Sequence, residues 1–159
     1  GKFLSFISEH CDSSCGVDIC ESVIEKAKKS YSGIKFLSLE HNGKLPFADG
    51  YFQTVCAMDV FEHILDLESV LEEVNRVMSI GGHLLIATSE LTKIKTVLIA
   101  LTSLDNYFYP ASPHIRYFTR KNLEDILRKK GFELIGYKKN KTYLGFIPKG
   151  QMVVAKKNS

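Results

Sequence analysis

The feature that most constrains the fold is the alternation of short apolar segments with helical segments along the whole chain. Strands separated by helices of about ten residues are typical of βαβ units, which build parallel sheets. Residues 84–87 (LLIA) are apolar at every position. A continuous apolar strand is expected where helices cover both faces of a sheet. The pattern therefore predicts an α/β protein with a mostly parallel sheet.

Strands are predicted over residues 14–19, 34–39, 53–59, 83–88, 132–137 and 152–155, and helices over residues 2–10, 21–31, 67–78 and 119–130. We expect Gly81 and Gly82 to end the third helix, because glycine commonly follows a helix C-terminus. Thr119 is expected to cap the fourth helix, and Gly131 to close it. The last two strands are expected to pair as a hairpin.

Size and composition indicate one soluble domain. The chain has 159 residues, and a single domain of this size can bury a substantial core. No apolar run approaches the roughly 20 residues of a membrane span, and no signal peptide is recognisable. The four cysteines lack the paired spacing of a zinc site, so we predict no metal and free thiols in a cytoplasmic protein.

Charge is unevenly distributed along the sequence. Residues 1–90 carry 7 basic and 14 acidic side chains, or −7, whereas residues 91–159 carry 14 and 4, or +10. The basic part could attract an acidic or phosphorylated partner, or it could simply present solvated lysine-rich faces. The sequence lacks the interleaved aromatic and basic residues that would indicate an RNA-binding fold, so a nucleic-acid partner is not expected. The sequence does not indicate an oligomeric state.

Residues that directly follow the strands are the first candidates for chemistry, because open α/β sheets bind ligands at the carboxyl ends of their strands. They are Asp18, the pair Glu40 and His41, Asp59 onward, and the pair Ser89 and Glu90. A carboxylate in the position of Asp18 can accept hydrogen bonds from both ribose hydroxyls. The alternative is an acid that merely stabilises the next helix N-terminus. Gly1 lies 17 positions earlier, close to the spacing in nucleotide-binding fingerprints.

Longer strings carry a family resemblance. Two neighbouring strings stand out, LPFADGYFQTVCAMDVFEHI and LESVLEEVNRVMSIGGHLLIATSE. They resemble the central motifs of class I S-adenosylmethionine-dependent methyltransferases. The most similar group is the small-molecule methyltransferases that include the ubiquinone-biosynthesis O-methyltransferases. GVDIC resembles the family's second strand, and RYFTRKNLEDILRKKGFELI resembles the helix and strand after its acceptor-binding insertion. The resemblance covers essentially the whole chain.

The resemblance implies a Rossmann-like, three-layer α/β/α fold whose mostly parallel sheet has an antiparallel last strand. It implies a single methyltransferase domain over residues 1–159, with a lid or acceptor-binding insertion at residues 91–118. The family's first strand and most of its glycine-rich loop have no counterpart in these residues. We therefore expect the 159 residues alone to bind S-adenosylmethionine poorly.

The resemblance also assigns cofactor contacts. Gly1 matches the last glycine of the glycine-rich loop, Asp18 the ribose-binding acid, and Ile19 the apolar residue beside the adenine. His41 stands where the family usually has an aspartate that bonds the adenine amino group, and Glu40 could take over that contact. The segment after the family's fourth strand, which lies along the cofactor, corresponds to Asp59, Val60 and Phe61. Asp59 could instead cap the next helix.

Two histidines are candidate catalytic residues. Glu62 and His63 form the most reactive-looking pair in the sequence. His63 could act as a general base for an alcohol or phenol acceptor, or it could only orient the following loop. His114 belongs to the insertion, whose apolar and aromatic residues could form an acceptor pocket or could simply pack on the sheet. The predicted activity is methyl transfer from S-adenosylmethionine to a small acceptor, with S-adenosylhomocysteine as product. The alternatives are an inactive methyltransferase-like binding module and, on a related fold, a nicotinamide-dependent oxidoreductase.

Overall fold

The structure is a computed structural model that describes residues 1–40, 44–143 and 147–158. The chain forms two compact units, Gly1–Pro46 and Phe47–Ser159. We call them the first unit and the second unit and describe each by itself. Among the described residues, none of the helices has the length and apolar character needed to cross a membrane. The same residues contain no disulfide.

The first unit is a small βαβ arrangement preceded by a helix. Its elements are α1 (Lys2–Ser8), β1 (Cys15–Asp18), α2 (Glu21–Ser30) and β2 (Lys35–Ser38). Strands β1 and β2 are parallel, as predicted. Ile24 and Ala27 of α2 pack with Phe36 of β2 to form a small buried cluster. Helix α1 buries none of its residues completely.

The second unit contains a four-stranded sheet and four helices. Its elements are β3 (Phe52–Met58), a 3₁₀ turn (Phe61–His63), α3 (Leu67–Val77), β4 (Met78–Ser89), α4 (Lys93–Thr102), α5 (Leu104–Tyr107), α6 (Arg120–Lys129), β5 (Phe132–Tyr143) and β6 (Ile147–Lys157). The strand order is β3-β4-β6-β5. Strands β3 and β4 are parallel, whereas β6 is antiparallel to both β4 and β5. The prediction of an antiparallel last strand is therefore confirmed.

The core of the second unit lies between the sheet and the apolar faces of α3 and α6. Helix α3 contributes Leu67, Leu71, Val74 and Val77, α6 contributes Leu123 and Leu127, and the sheet contributes Leu84, Ile86, Phe132, Val153 and Ala155. Both helices have side-chain caps. Asp66 accepts a hydrogen bond from the backbone N–H of Ser69, and Thr119 accepts one from that of Asn122. The predicted cap at Thr119 is confirmed.

Strands β4, β5 and β6 are longer than predicted, and the boundary between α3 and β4 differs most in kind. Strand β4 begins at Met78, directly after α3, so Gly81 and Gly82 lie inside the strand and do not end the helix. The pairing with β3 shifts register between Phe52 and Thr54. Gly81 has a φ of 79°, and a Cβ on Gly82 would lie 2.8 Å from the carbonyl oxygen of Gln53. The two glycines therefore form a bulge, a role that glycine also serves.

Candidate functional site

In the first unit, Asp18 lies at the carboxyl end of β1. Its Oδ1 accepts a hydrogen bond of 2.8 Å from the backbone N–H of Cys20, and this bond fixes the orientation of the carboxylate. Oδ2 takes no hydrogen bond within the described part of the chain. Ile19 follows with 60% of its surface exposed. An oriented carboxylate next to an exposed apolar side chain fits a ribose and an adjoining adenine ring.

Two further candidates of the first unit lie on its surface. Gly1 is the N-cap of α1, and a Cβ at this position would come within 2.5 Å of the Tyr31 ring. The local packing thus admits only glycine there without a shift of Tyr31. Glu40 is exposed just after β2. His41, the alternative partner for the adenine amino group, lies outside the described residues.

In the second unit, Asp59, Val60 and Phe61 connect β3 to the 3₁₀ turn. Asp59 has a φ of 54°, and its N–H donates to the carbonyl of Ala87 over 2.8 Å. Val60 is exposed, whereas only 1% of Phe61 is exposed. The side chain of Phe61 is therefore part of the core, and contact with a ligand is possible only through its backbone.

The 3₁₀ turn brings Glu62 and His63 next to His114, and we call these three residues the EHH cluster. The rings of His63 and His114 have centroids 4.9 Å apart. One potential ligand atom from each of the three side chains lies within 4.8 Å of the others. Both histidines are exposed, whereas Glu62 is 1% exposed. The two predicted catalytic residues are thus adjacent, although 51 positions separate them.

Hydrogen bonds set the orientation of the cluster. Nδ1 of His63 lies 2.8 Å from the carbonyl oxygen of Pro113. Because a carbonyl only accepts, Nδ1 carries the hydrogen and Nε2 keeps its lone pair when the ring is neutral. Oε2 of Glu62 accepts a bond of 2.9 Å from the hydroxyl of Thr88 on β4. The pair Glu62 and His63 already stood out in the sequence, whereas no sequence signal marked Thr88.

The segment that carries His114 is tied to the 3₁₀ turn and the loop after it. The backbone N–H groups of Ile115 and Arg116 donate to the carbonyl of Glu62, at 3.0 and 3.2 Å. The guanidinium of Arg116 donates to the carbonyls of Ile64 and Leu65. These bonds hold His114 beside His63. They also show that the charge of Arg116 is already engaged by backbone oxygens.

A second polar group surrounds Glu90, just after β4. Tyr137 donates to Oε1 of Glu90 over 2.7 Å, and Oε2 of Glu90 is buried with no hydrogen-bond partner among the described residues. Burial, reinforced by this bond, raises the pKa of Tyr137 to about 12. Burial lowers the pKa of Lys95, whose ammonium donates to the carbonyl of Glu90. Arg120 lies 4.4 Å from the centre of the Tyr137 ring. Among the residues of this polar group, only Glu90 was a candidate by its position directly after a strand.

The insertion at residues 91–118 forms α4, α5 and the segment that carries His114. Tyr107 and Phe108 pack against Tyr117, with ring centroids 5.2 Å apart in both pairs. Helix α4 buries only Lys95 and Ile99 and exposes Ile94, Val97, Leu98 and Leu101. An open groove of about 380 Å³ is lined by residues 100–106. The apolar character expected of an acceptor-binding insertion is present, mostly on its surface.

Comparison with known proteins places this architecture in a family. The sequence matches the profile of a methyltransferase domain over residues 1–136. It is 39% identical over 69 residues to a ubiquinone/menaquinone biosynthesis C-methyltransferase from Desulfotalea psychrophila. That match covers 42% of this chain and 28% of the relative, so the chain spans well under two thirds of that protein.

Solved structures agree on the fold. A methyltransferase structure from Bacillus halodurans matches 98% of this chain and 87% of its own, at 14% identity and a TM-score of 0.76. Magnesium protoporphyrin IX methyltransferase from Synechocystis, solved with bound S-adenosylhomocysteine, matches 100% of this chain and 70% of its own, at 18% identity and a TM-score of 0.72. The Rossmann-like fold implied by the sequence motifs is confirmed. The chain therefore belongs to the methyltransferase domain family, and it shares the Rossmann-like fold of these methyltransferase structures.

Proposed function

We propose that this protein transfers a methyl group from S-adenosylmethionine to a hydroxyl group of a small-molecule acceptor, which binds at the EHH cluster. The observation that carries the proposal is the pairing of His63 with His114 in a chain whose family profile matches residues 1–136. Two exposed imidazoles beside a buried carboxylate are suited to bind a hydroxyl and remove its proton. The sulfonium of the cofactor supplies an electrophilic methyl group.

Each unit offers its own cofactor residues. In the first unit, we assign the ribose hydroxyls to Asp18, whose carboxylate is oriented by Cys20, and the adenine ring to Ile19. Gly1 is assigned to the methionine end, and Glu40 or His41 to the adenine amino group. In the second unit, Asp59 is assigned to the methionine amino group, with Val60 and the backbone of Phe61 along the cofactor. Bound S-adenosylhomocysteine in the Synechocystis relative supports the choice of cofactor.

The chemistry needs few protein groups. Methyl transfer is a direct displacement, in which the acceptor oxygen forms a bond to the methyl carbon while the carbon–sulfur bond breaks. The sulfur keeps that electron pair, and S-adenosylhomocysteine leaves. The protein supplies alignment and removes the hydroxyl proton. We assign proton removal to His63, whose Nε2 lone pair is left available by the bond at Nδ1, and acceptor orientation to His114.

The acceptor is proposed to be small, with an apolar body. The apolar and aromatic side chains of the insertion support an apolar body. An acidic or phosphorylated group on the acceptor was expected from the +10 balance after residue 90. Two arginines of this part already have partners, because Arg116 bonds backbone carbonyls and Arg120 lies over Tyr137. We therefore propose that an acidic group of the acceptor would have to be bound by basic residues after residue 90 other than these two arginines.

The first test measures cofactor affinity in the natural full-length protein. Asp18→Ala removes hydrogen bonds to a charged acceptor, each worth about 1.5–3 kcal/mol. Because about 1.4 kcal/mol corresponds to a factor of ten, we expect the dissociation constant for S-adenosylmethionine, measured by calorimetry, to rise at least about tenfold. Asp12→Ala, an exposed change in the same unit, is the matched control. Equal affinities for the two variants would refute the assignment.

A further inference from the structure

We propose that the EHH cluster binds a divalent transition-metal ion, with one ligand atom each from Glu62, His63 and His114. The proposal reverses the expectation of no metal, which rested on cysteine spacing alone. The three potential ligand atoms already lie within 4.8 Å of one another. Two imidazoles and one carboxylate are a common ligand set for Zn²⁺ and for other ions of the first transition row.

The tautomer of His63 suits metal binding. Histidine ligands usually donate the hydrogen of their other ring nitrogen to a carbonyl or carboxylate, which fixes the ring and leaves a lone pair for the ion. Nδ1 of His63 has this partner in the carbonyl of Pro113, at 2.8 Å. Nε2 is therefore left as the ligand atom. Pro113 directly precedes His114, so the same segment orients one ligand and supplies another.

The surroundings of Glu62 favour a cation. Only 1% of the residue is exposed, and within the described residues no lysine, arginine or histidine forms an ion pair with it. Its Oε2 accepts a hydrogen bond from Thr88, at 2.9 Å, as ligating carboxylates commonly do. A buried carboxylate without a positive partner costs free energy. A divalent ion at the cluster would remove that cost.

The geometry needs only a small adjustment. Bonds of about 2.0–2.2 Å in a tetrahedral site place ligand atoms roughly 3.4 Å apart. His114 is exposed, so its ring can turn toward the others without loss of core packing. Three protein ligands leave the fourth position open, which is the arrangement of catalytic rather than structural zinc sites. Imidazole ligands favour Zn²⁺, Co²⁺ or Fe²⁺ over Mg²⁺ and Ca²⁺.

The role of the ion rests on the proposed function. In the open position, the ion binds the hydroxyl oxygen of the acceptor and lowers its pKa. The hydroxyl proton passes to solvent. The oxygen then attacks the methyl carbon as the carbon–sulfur bond breaks, and the sulfur keeps the electron pair. In this arrangement, Nε2 of His63 binds the ion and does not also take the proton, so the ion replaces the direct base role assigned to His63 above, and His63 and His114 activate the acceptor through the ion.

The test is a titration of the full-length, metal-free protein with Zn²⁺ and with Co²⁺, without cofactor or acceptor. We expect one ion per chain by calorimetry and visible absorption bands from bound Co²⁺. His114→Ala should weaken binding by more than about 100-fold. Thr88→Val, which removes only the hydrogen bond to Glu62, should weaken it by about 10–100-fold. His10→Ala combined with His83→Ala removes two exposed histidines outside the cluster and should leave binding unchanged.

Each other outcome counts against the proposal. Absence of a stoichiometric ion, or equal affinity of wild type and His114→Ala, would overturn it, with circular dichroism used to show that the variant is folded. Equal affinity for Mg²⁺ and Zn²⁺ would overturn the transition-metal assignment. Since the titration contains no cofactor, its result is independent of methyl transfer. If turnover by the natural protein persists in a strong chelator, His63 acts directly as the base and only the metal role fails.

Discussion

The two units of the chain use the same kind of strand and helix but bury very different amounts of apolar surface. Of the twenty buried apolar residues among the described residues, three lie in the first unit and seventeen in the second. The first unit pairs two strands of four residues each, whereas the second pairs four strands of 7 to 12 residues. Two-stranded sheets with little core are marginally stable. An apolar pattern in the sequence thus predicts an element but not how firmly it is held.

The comparison extends to function. The proposed ribose ligand, Asp18, belongs to the sparsely packed first unit. The EHH cluster belongs to the second unit, where Glu62 is anchored to Thr88 of a buried strand. Sites built on rigid elements hold their geometry more closely than sites on mobile ones. We therefore expect the residues that act on the acceptor to be more fixed than those that bind the ribose.

The largest expected effect contrasts a buried and an exposed apolar side chain. Leu71 on α3 is 0% exposed, whereas Phe6 on α1 is 76% exposed. Leu71→Ala is expected to lower the free energy of unfolding by about 2–5 kcal/mol, because it leaves a cavity in the core. Phe6→Ala should change it by less than about 0.5 kcal/mol. Urea denaturation measures both, and comparable losses would contradict the contrast between the units.

The next effect concerns local opening. Amide hydrogens exchange through local or global unfolding, and regions with few buried contacts open at lower free energy. We expect amides of β4 and β6 to exchange on the order of a hundredfold more slowly than those of β1 and β2, a difference of about 3 kcal/mol. Hydrogen exchange followed by mass spectrometry tests this difference. Equal protection of the two sheets would mean that the first unit is as stable as the second.

Local patterns predicted most of the fold. The six strands and the helices α1, α2, α3 and α6 overlap the predicted segments, because the residues of each segment have the expected periodicity. Strands β4, β5 and β6 extend several residues beyond the prediction. The bulge at Gly81 and Gly82 was missed, because glycine serves both helix ends and bulges, and the carbonyl of Gln53 that excludes a side chain at Gly82 lies far away in the sequence.

The candidate site was predictable only in part. Asp18 and Glu90 were named as candidates because they follow strands, and His63 because a motif contains it. The contacts that define the site join residues far apart in sequence. Thr88 and Glu62 are 26 positions apart, and His63 and Pro113 are 50. Tertiary packing sets such pairs, and no local pattern encodes them. The expectation that no metal binds also came from a local pattern, the spacing of the cysteines. The proposed ligands instead come from two segments that lie far apart in the sequence, MDVFEHI and PHIR.

The smallest expected effect concerns helix caps, which also separate the two units. In the second unit, Thr119 accepts a hydrogen bond of 3.2 Å from the N–H of Asn122 and so caps α6. In the first unit, the N-cap of α2 is Cys20, whose Sγ lies 3.2 Å from the hydroxyl of Ser22 and makes no capping hydrogen bond to the backbone. Sulfur is a weak acceptor, whereas a serine hydroxyl is among the preferred caps. Cys20→Ser should therefore add a bond that α2 lacks.

Thr119→Ala is expected to cost about 1 kcal/mol, read as a lower urea midpoint with an unchanged slope. Cys20→Ser should instead stabilise the start of α2. The first-turn amides of α2 should exchange more slowly, with no change in α6. Cys20→Ala, which offers no acceptor, is the control and should show no such slowing. If Cys20→Ser and Cys20→Ala give the same exchange rates, the start of α2 is not limited by its missing cap. The weakness of the first unit would then come from its small core alone.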